Sequence, residues 1–214
     1  MTIQQFGDIL RNSGIKGIDA YREKLLSLES DQAGLQDFAC EGRVAYVFQS
    51  HGWMVTLRDS PDLEARAEDS YLGIEVKHCR WKKDHDPVVD AALASHDGEF
   101  VAIPRLIETE GQEEEWEQMY RFAKKNCHQY AAGEFNILFF ISHTVAHDNI
   151  TLQAAAHRYE EELRECHCPE AMKNLHAMMT IFGYRRSGPD PRSVYCEFIS
   201  GARKPLPESL MLAL

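Results

Sequence analysis

The sequence predicts an α/β (α+β) fold in which a helix, three short strands, a second helix and a fourth strand follow in order. Three observations predict it. Leu35, Phe38, Ala45 and Phe48 recur at helical spacing between Asp31 and Ser50, giving an apolar stripe on about five turns of helix. Asp62 to Arg66 and Tyr71 to Lys77 flank the polar stretch Glu68-Asp69-Ser70, as the two strands of a hairpin flank a tight connection. Phe135 to Ser142 is an apolar run that follows a helical segment stopping at Gly133, the pattern of a buried strand.

The first thirty residues suggest two short helices, Ile3 to Asn12 and Ile18 to Leu28, broken near Gly14; they would cap the sheet or offer a partner surface. The 31–50 helix ends at His51-Gly52, a favoured stop, and Trp53 to Leu57 reads as the first strand. From Glu113 to Ala132, Trp116, Met119, Tyr120, Ala123, Cys127 and Tyr130 share one helical face. Between hairpin and helix, Asp84 to Gly111 forms an excursion with a short helix at Pro87 to Ser95 and a strand at Glu99 to Ile103, either a decorated loop or a carrier of substrate contacts. Beyond the fourth strand, Ile150 to Cys166 and Pro169 to Met179 read as helices, with Glu160, Glu161 and Glu162 solvated. Ile181 to Arg185 and Val194 to Ile199 read as a closing hairpin. Leu210, Met211, Leu212 and Leu214 in the tail would dock on the core or on a second copy in a homodimer, or fray. One domain, 1–214, is expected, with a core at about 31–142, a helical cap at 1–30 and an extension at 143–214.

A chain of 214 residues with 44% hydrophobic content can bury one full core. No apolar run approaches the roughly 20 residues that span a bilayer, and Met1 to Gln5 lacks the layout of a signal peptide. Six cysteines without a secretion signal read as reduced thiols, so a cytoplasmic location is expected.

The hairpin carries the chemistry. Side chains alternate along a strand, so Glu75 and Lys77 share a face while Val76 points away. A turn centred on Glu68-Asp69 would set Asp62 opposite Glu75, and one centred on Asp69-Ser70 would set it opposite Lys77. Either register gathers all three charges. Two hard carboxylates suit Mg²⁺ or Mn²⁺, with the Val76 carbonyl as a further oxygen, water and phosphate completing the shell, and Lys77 orienting a water or offsetting phosphorane charge. The plain alternative is a surface ion pair worth little. Glu41 lies on the apolar stripe between Phe38 and Ala45; a carboxylate buried there needs a partner, which the hairpin's metal or Lys77 would supply, the plain alternative being an imperfect stripe from whose edge Glu41 reaches solvent.

Helix with Glu41, strand, Asp62 hairpin and Glu75-Val76-Lys77, followed by helix and strand, resemble the PD-(D/E)xK nuclease-like superfamily over about residues 31–142. The resemblance implies an αβββαβ core, a central mixed sheet flanked by helices, and a metal-dependent nuclease. It also implies that Glu41, Asp62 and Glu75 match the acidic metal-site positions and Lys77 the catalytic lysine. Many members carry a glutamine on the helix after the lysine strand; Gln118 and Gln129 fall away from the apolar stripe, and neither is assigned.

The net charge of −11 argues against a protein that coats nucleic acid in bulk. Locally, however, His78, Arg80, Lys82 and Lys83 surround Trp81 just after Lys77, a pattern suited to a phosphate backbone and a stacked base. Arg121, Lys124 and Lys125 lie on the following helix, and Arg185, Arg186 and Arg192 flank the last hairpin. A zinc site is a weaker expectation: Cys166 and Cys168 lack Cys-x-x-Cys spacing, and His143, His147 or His157 would have to complete the tetrahedron. Cys127 and His128 diverge by about 100° on a helix, which disfavours a nucleophilic pair. The expectation is a nuclease for DNA, with RNA as another substrate and an inactive nuclease-like binding or assembly module as the alternative.

Overall fold

The computed structural model describes residues 3–67, 70–79, 114–142, 149–165, 168–181 and 194–200. Its helices are α1 (Ile3–Asn12), α2 (Ile18–Ser27), α3 (Gln32–Ser50), α4 (Glu115–Lys125) and α5 (Asn149–Arg164). Its strands are β1 (Met54–Leu57), β2 (Leu63–Ala67), β3 (Ser70–Cys79), β4 (Phe135–Ser142), β5 (Leu175–Ile181) and β6 (Val194–Phe198). The strands lie side by side in chain order. Pairing is antiparallel at β1–β2, β2–β3 and β5–β6 and parallel at β3–β4 and β4–β5. This is the α/β arrangement the sequence predicts, a mixed sheet flanked by helices.

Alternation along the strands divides the core between the two faces of the sheet. Leu72, Ile74, Val76, Ile137, Phe139 and Ile141 pack with α1, α2 and α3. Leu138, Phe140 and Met178 pack with Met119 and Ala123 of α4 and Leu152, Ala155 and Tyr159 of α5. β4 is therefore covered on both faces, which explains its unbroken apolar sequence. The crossovers from β3 to β4 and from β4 to β5 step the same way across the sheet, so one handedness puts α4 and α5 on the same face. The outer edge of β1 is partly closed by Lys16, whose N–H donates to the Val55 carbonyl at 2.9 Å and whose carbonyl accepts from Leu57 N–H at 3.0 Å.

Two boundaries differ from the sequence reading. The expected helix 169–179 is a 3-10 turn, Glu170–Asn174, followed by β5. Ala, Leu and Met favour helix in isolation, but pairing with β4 and burial of alternate residues on both faces override that preference. The helix expected to run to Ala132 stops at Lys125; Asn126 Nδ2 and its backbone N–H both donate to the Phe122 carbonyl, and Tyr130 Oη donates to the Ala123 carbonyl. Buried Asn136 then ties the turn to β4, its Nδ2 donating to the Ala131 and Asn174 carbonyls and its Oδ1 accepting from Ala131 N–H. The excursion at 84–111, the tail at 206–214 and the 181–185 half of the hairpin beyond Ile181 lie outside the described residues. Among the described residues no helix is long and apolar enough to cross a membrane.

Candidate active site

The hairpin adopts one of the two registers open to it. Ala67 pairs with Ser70 and Leu63 with Ile74, so the connection is residues 68–69 and Asp62 falls opposite Glu75. Regular pairing ends at Leu63, while β3 continues to Cys79. There the Asp62 side chain replaces the ladder: its Oδ2 accepts a hydrogen bond from Val76 N–H at 2.8 Å. The carboxylate is thus fixed to the backbone between Glu75 and Lys77. Val76 itself turns its side chain into the core on the α3 face.

Lys77 Nζ bridges the two acids, 3.3 Å from Glu75 Oε2 and 3.6 Å from Asp62 Oδ2. Only 2% of the Glu75 side chain is exposed, against 14% for Asp62 and 22% for Lys77. Burial, followed by the adjacent Asp62 charge, raises the Glu75 carboxyl above the usual carboxylate range, and Lys77 pulls it part of the way back. Glu75 Oε1 is buried with no hydrogen-bond partner among the described residues.

Glu41 approaches from α3. Its carboxyl is pushed up to about 9, chiefly by burial and next by the charge of Asp62, against the opposing pull of Lys24 and Lys77. The helix is locally specialised here. The Tyr21 hydroxyl from α2 sits inside the α3 ladder, donating to the Phe38 carbonyl at 2.8 Å and accepting from Gly42 N–H at 3.0 Å. Glycine is required at 42 by this close approach: a Cβ there would stand 2.6 Å from Tyr21 Oη and 2.9 Å from the Phe6 ring. One turn before Glu41, Asp37 Oδ1 meets His78 Nδ1 at 2.8 Å, fastening α3 to β3 just beyond Lys77. Tyr21 and Asp37 carry no sequence signal for these roles, because each acts across more than seventeen residues or onto a backbone group.

Asp62, Glu75 and Lys77 are therefore brought together on one face of the hairpin, and Glu41 on α3 lies near enough to feel their charges. His78, grouped in the sequence with the exposed basic residues, instead has a side chain only 4% exposed and turned toward α3. This follows from alternation: neighbours of Lys77 face the opposite side of the sheet. Arg80, Trp81, Lys82 and Lys83 lie outside the described residues, as do Arg185, Arg186 and Arg192. Arg121, Lys124 and Lys125 are exposed on α4. Gln129 lies in the turn after α4 with Oε1 buried and unpartnered among the described residues, not on an outward helical face. Cys166, His167, His143 and His147 are outside the described residues; Cys168 Sγ lies 3.9 Å from the Leu163 carbonyl, and exposed His157 lies 3.4 Å from Glu161. Among the described residues no three or more His, Cys, Asp or Glu side chains already stand close enough to hold an ion. No protein-family model, curated protein or solved structure matches this chain.

Proposed function

We propose that this protein is a metal-dependent phosphodiester hydrolase acting on nucleic acid, with DNA as its first substrate and RNA as the alternative. The supporting observation is the convergence of Asp62, Glu75 and Lys77 on one face of the hairpin, with Glu41 on α3 near enough to feel their charges. The donor chemistry fits Mg²⁺ or Mn²⁺: every candidate ligand is an oxygen, one buried Glu75 oxygen lacks a partner among the described residues, and two carboxyls are raised by burial and by the neighbouring Asp62 charge. Asp62, Glu75 and Glu41, with the Val76 carbonyl, would hold the ion. Bound there, it would lower the pKa of a water and offset charge on the phosphoryl oxygens.

The chain's own groups supply the rest. Lys77 carries three donors, one of them given to Glu75 while Asp62 stands within ion-pair distance, and can present another to a water or a phosphoryl oxygen. As the water oxygen forms the new P–O bond, the opposite P–O bond breaks and the leaving oxygen takes a proton from solvent, while Lys77 stays near the phosphoryl group to offset its charge. Asp62, held by Val76 N–H, keeps its orientation as charge is redistributed.

The Lys77 bridge also supports a second reading, in which a self-neutralised cluster stabilises a binding or assembly module. Incubation of labelled single- and double-stranded DNA and RNA with Mg²⁺, Mn²⁺ or EDTA, beside Lys77→Ala, separates the two. Metal-dependent cutting lost in the variant supports the hydrolase. Neither cutting nor metal binding by the folded protein favours the module, and unchanged cutting by Lys77→Ala removes the lysine from the chemistry.

A further inference from the structure

We propose that a cleft on the α4–α5 face is a binding track for a single strand of nucleic acid, separate from the Glu41–Asp62–Glu75–Lys77 cluster. The proposal takes its ligand class from the hydrolase reading. The cleft, about 600 Å³, is lined by Trp116, Glu117, Tyr120, Arg121, Lys124 and Lys125 of α4 and Arg158 of α5. The cleft gathers four cations and two aromatic rings, groups that suit a phosphodiester backbone and a stacked base.

The rings are held in place. Tyr120 Oη donates to Glu162, while Lys124 and Arg158 lie 6.0 and 5.8 Å from the ring centroid. Lys124 is tied to Glu162 at 2.6 Å and Arg158 to Glu161 at 3.1 Å, so these two mainly shape the platform. Arg121 and Lys125 extend from exposed positions on the same helix. Trp116 Nε1 donates to Glu114, which fixes the indole by its edge.

Geometry favours a single strand over a duplex. Trp116 and Tyr120 are four residues apart on one helical face, a rise of about 6 Å. Stacked duplex bases advance by only about 3.4 Å per step, so bases meeting both rings must already be unstacked from each other.

The test is fluorescence anisotropy on the full chain in EDTA, with labelled oligothymidylate and a blunt duplex of equal length, across a salt series. The wild-type protein should prefer the single strand. Trp116→Ala should weaken it about tenfold. Arg121→Gln should lower the salt slope by about 0.7 for the lost phosphate contact. Unchanged affinity and slope in both variants, equal binding of the duplex, or equally effective competition by a polyglutamate peptide would each overturn the proposal. Metal-dependent cleavage with binding unaffected by the variants would fail the track alone. The expected binding without any cleavage would fail the hydrolase reading alone.

Discussion

Replacing Lys77 with methionine keeps the aliphatic stem but removes the charge that Glu75 and Asp62 share. With wild-type protein free of metal, stability should fall as pH rises above the ordinary carboxylate range, because the folded state holds a proton on Glu75 that the unfolded chain releases. Glu75's share of that fall ends once it ionises beside Lys77, while the share of Glu41 continues toward pH 9 in both proteins. In Lys77→Met no nearby ammonium favours ionisation, so the decline continues at about 1.4 kcal/mol per pH unit for the one proton. At 3.3 Å and an effective dielectric constant of about 20, the Lys77–Glu75 attraction is about 5 kcal/mol, an upper bound on the divergence between the two curves. Partial exposure of Lys77 brings the usable range nearer to 2–3 kcal/mol. Urea denaturation of both proteins in EDTA from pH 5 to pH 9 reads this directly. The variant should differ little at pH 5, where Glu75 is protonated in both and only the Asp62 pair is lost. A destabilisation that is the same at pH 5 and pH 9 would falsify the assignment of Lys77 as the counter-ion of Glu75.

Three further outcomes follow from the same geometry. Asp62→Asn retains an oxygen that can accept from Val76 N–H but loses the charge, so the fold should persist while Mg²⁺ affinity drops about tenfold or more; an unaltered metal titration removes Asp62 from the site. Glu41 keeps its proton to about 9 without metal, so Mg²⁺ binding at pH 7 should expel protons and tighten as pH rises toward 9. Calorimetry in buffers of different ionisation enthalpy measures that release, Glu41→Gln should reduce it, and buffer-independent heats would contradict it. Gly42→Ala should destabilise by up to about 2 kcal/mol, since overpacking of about 1–3 kcal/mol against Tyr21 and Phe6 is set against a helix-propensity gain of about 1 kcal/mol. Thermal unfolding at or above the wild-type temperature would show that the neighbours move aside at little cost.

The sequence by itself determined the class of fold and four members of the candidate site. Period 3.6 in 31–50 and the double-sided apolar run in 135–142 are local consequences of which faces must be buried, and they read correctly. Asp62, Glu75 and Lys77 were legible because alternation along a hairpin constrains their face in either register. Only tertiary structure chose between the registers, which bury the same side chains: Leu63 pairs with Ile74, and the bond from Val76 N–H to Asp62 closes that end of the ladder. It also made β5 a strand, because the free edge of β4 and two apolar layers outweigh the helix preference of Ala, Leu and Met. Tyr21 in the α3 ladder, Asp37 against His78, and the α4–α5 cleft all join residues distant in the chain or groups of the backbone. Such contacts leave no period in the sequence, since their spacing is fixed by how the elements pack and not by any repeat along one of them.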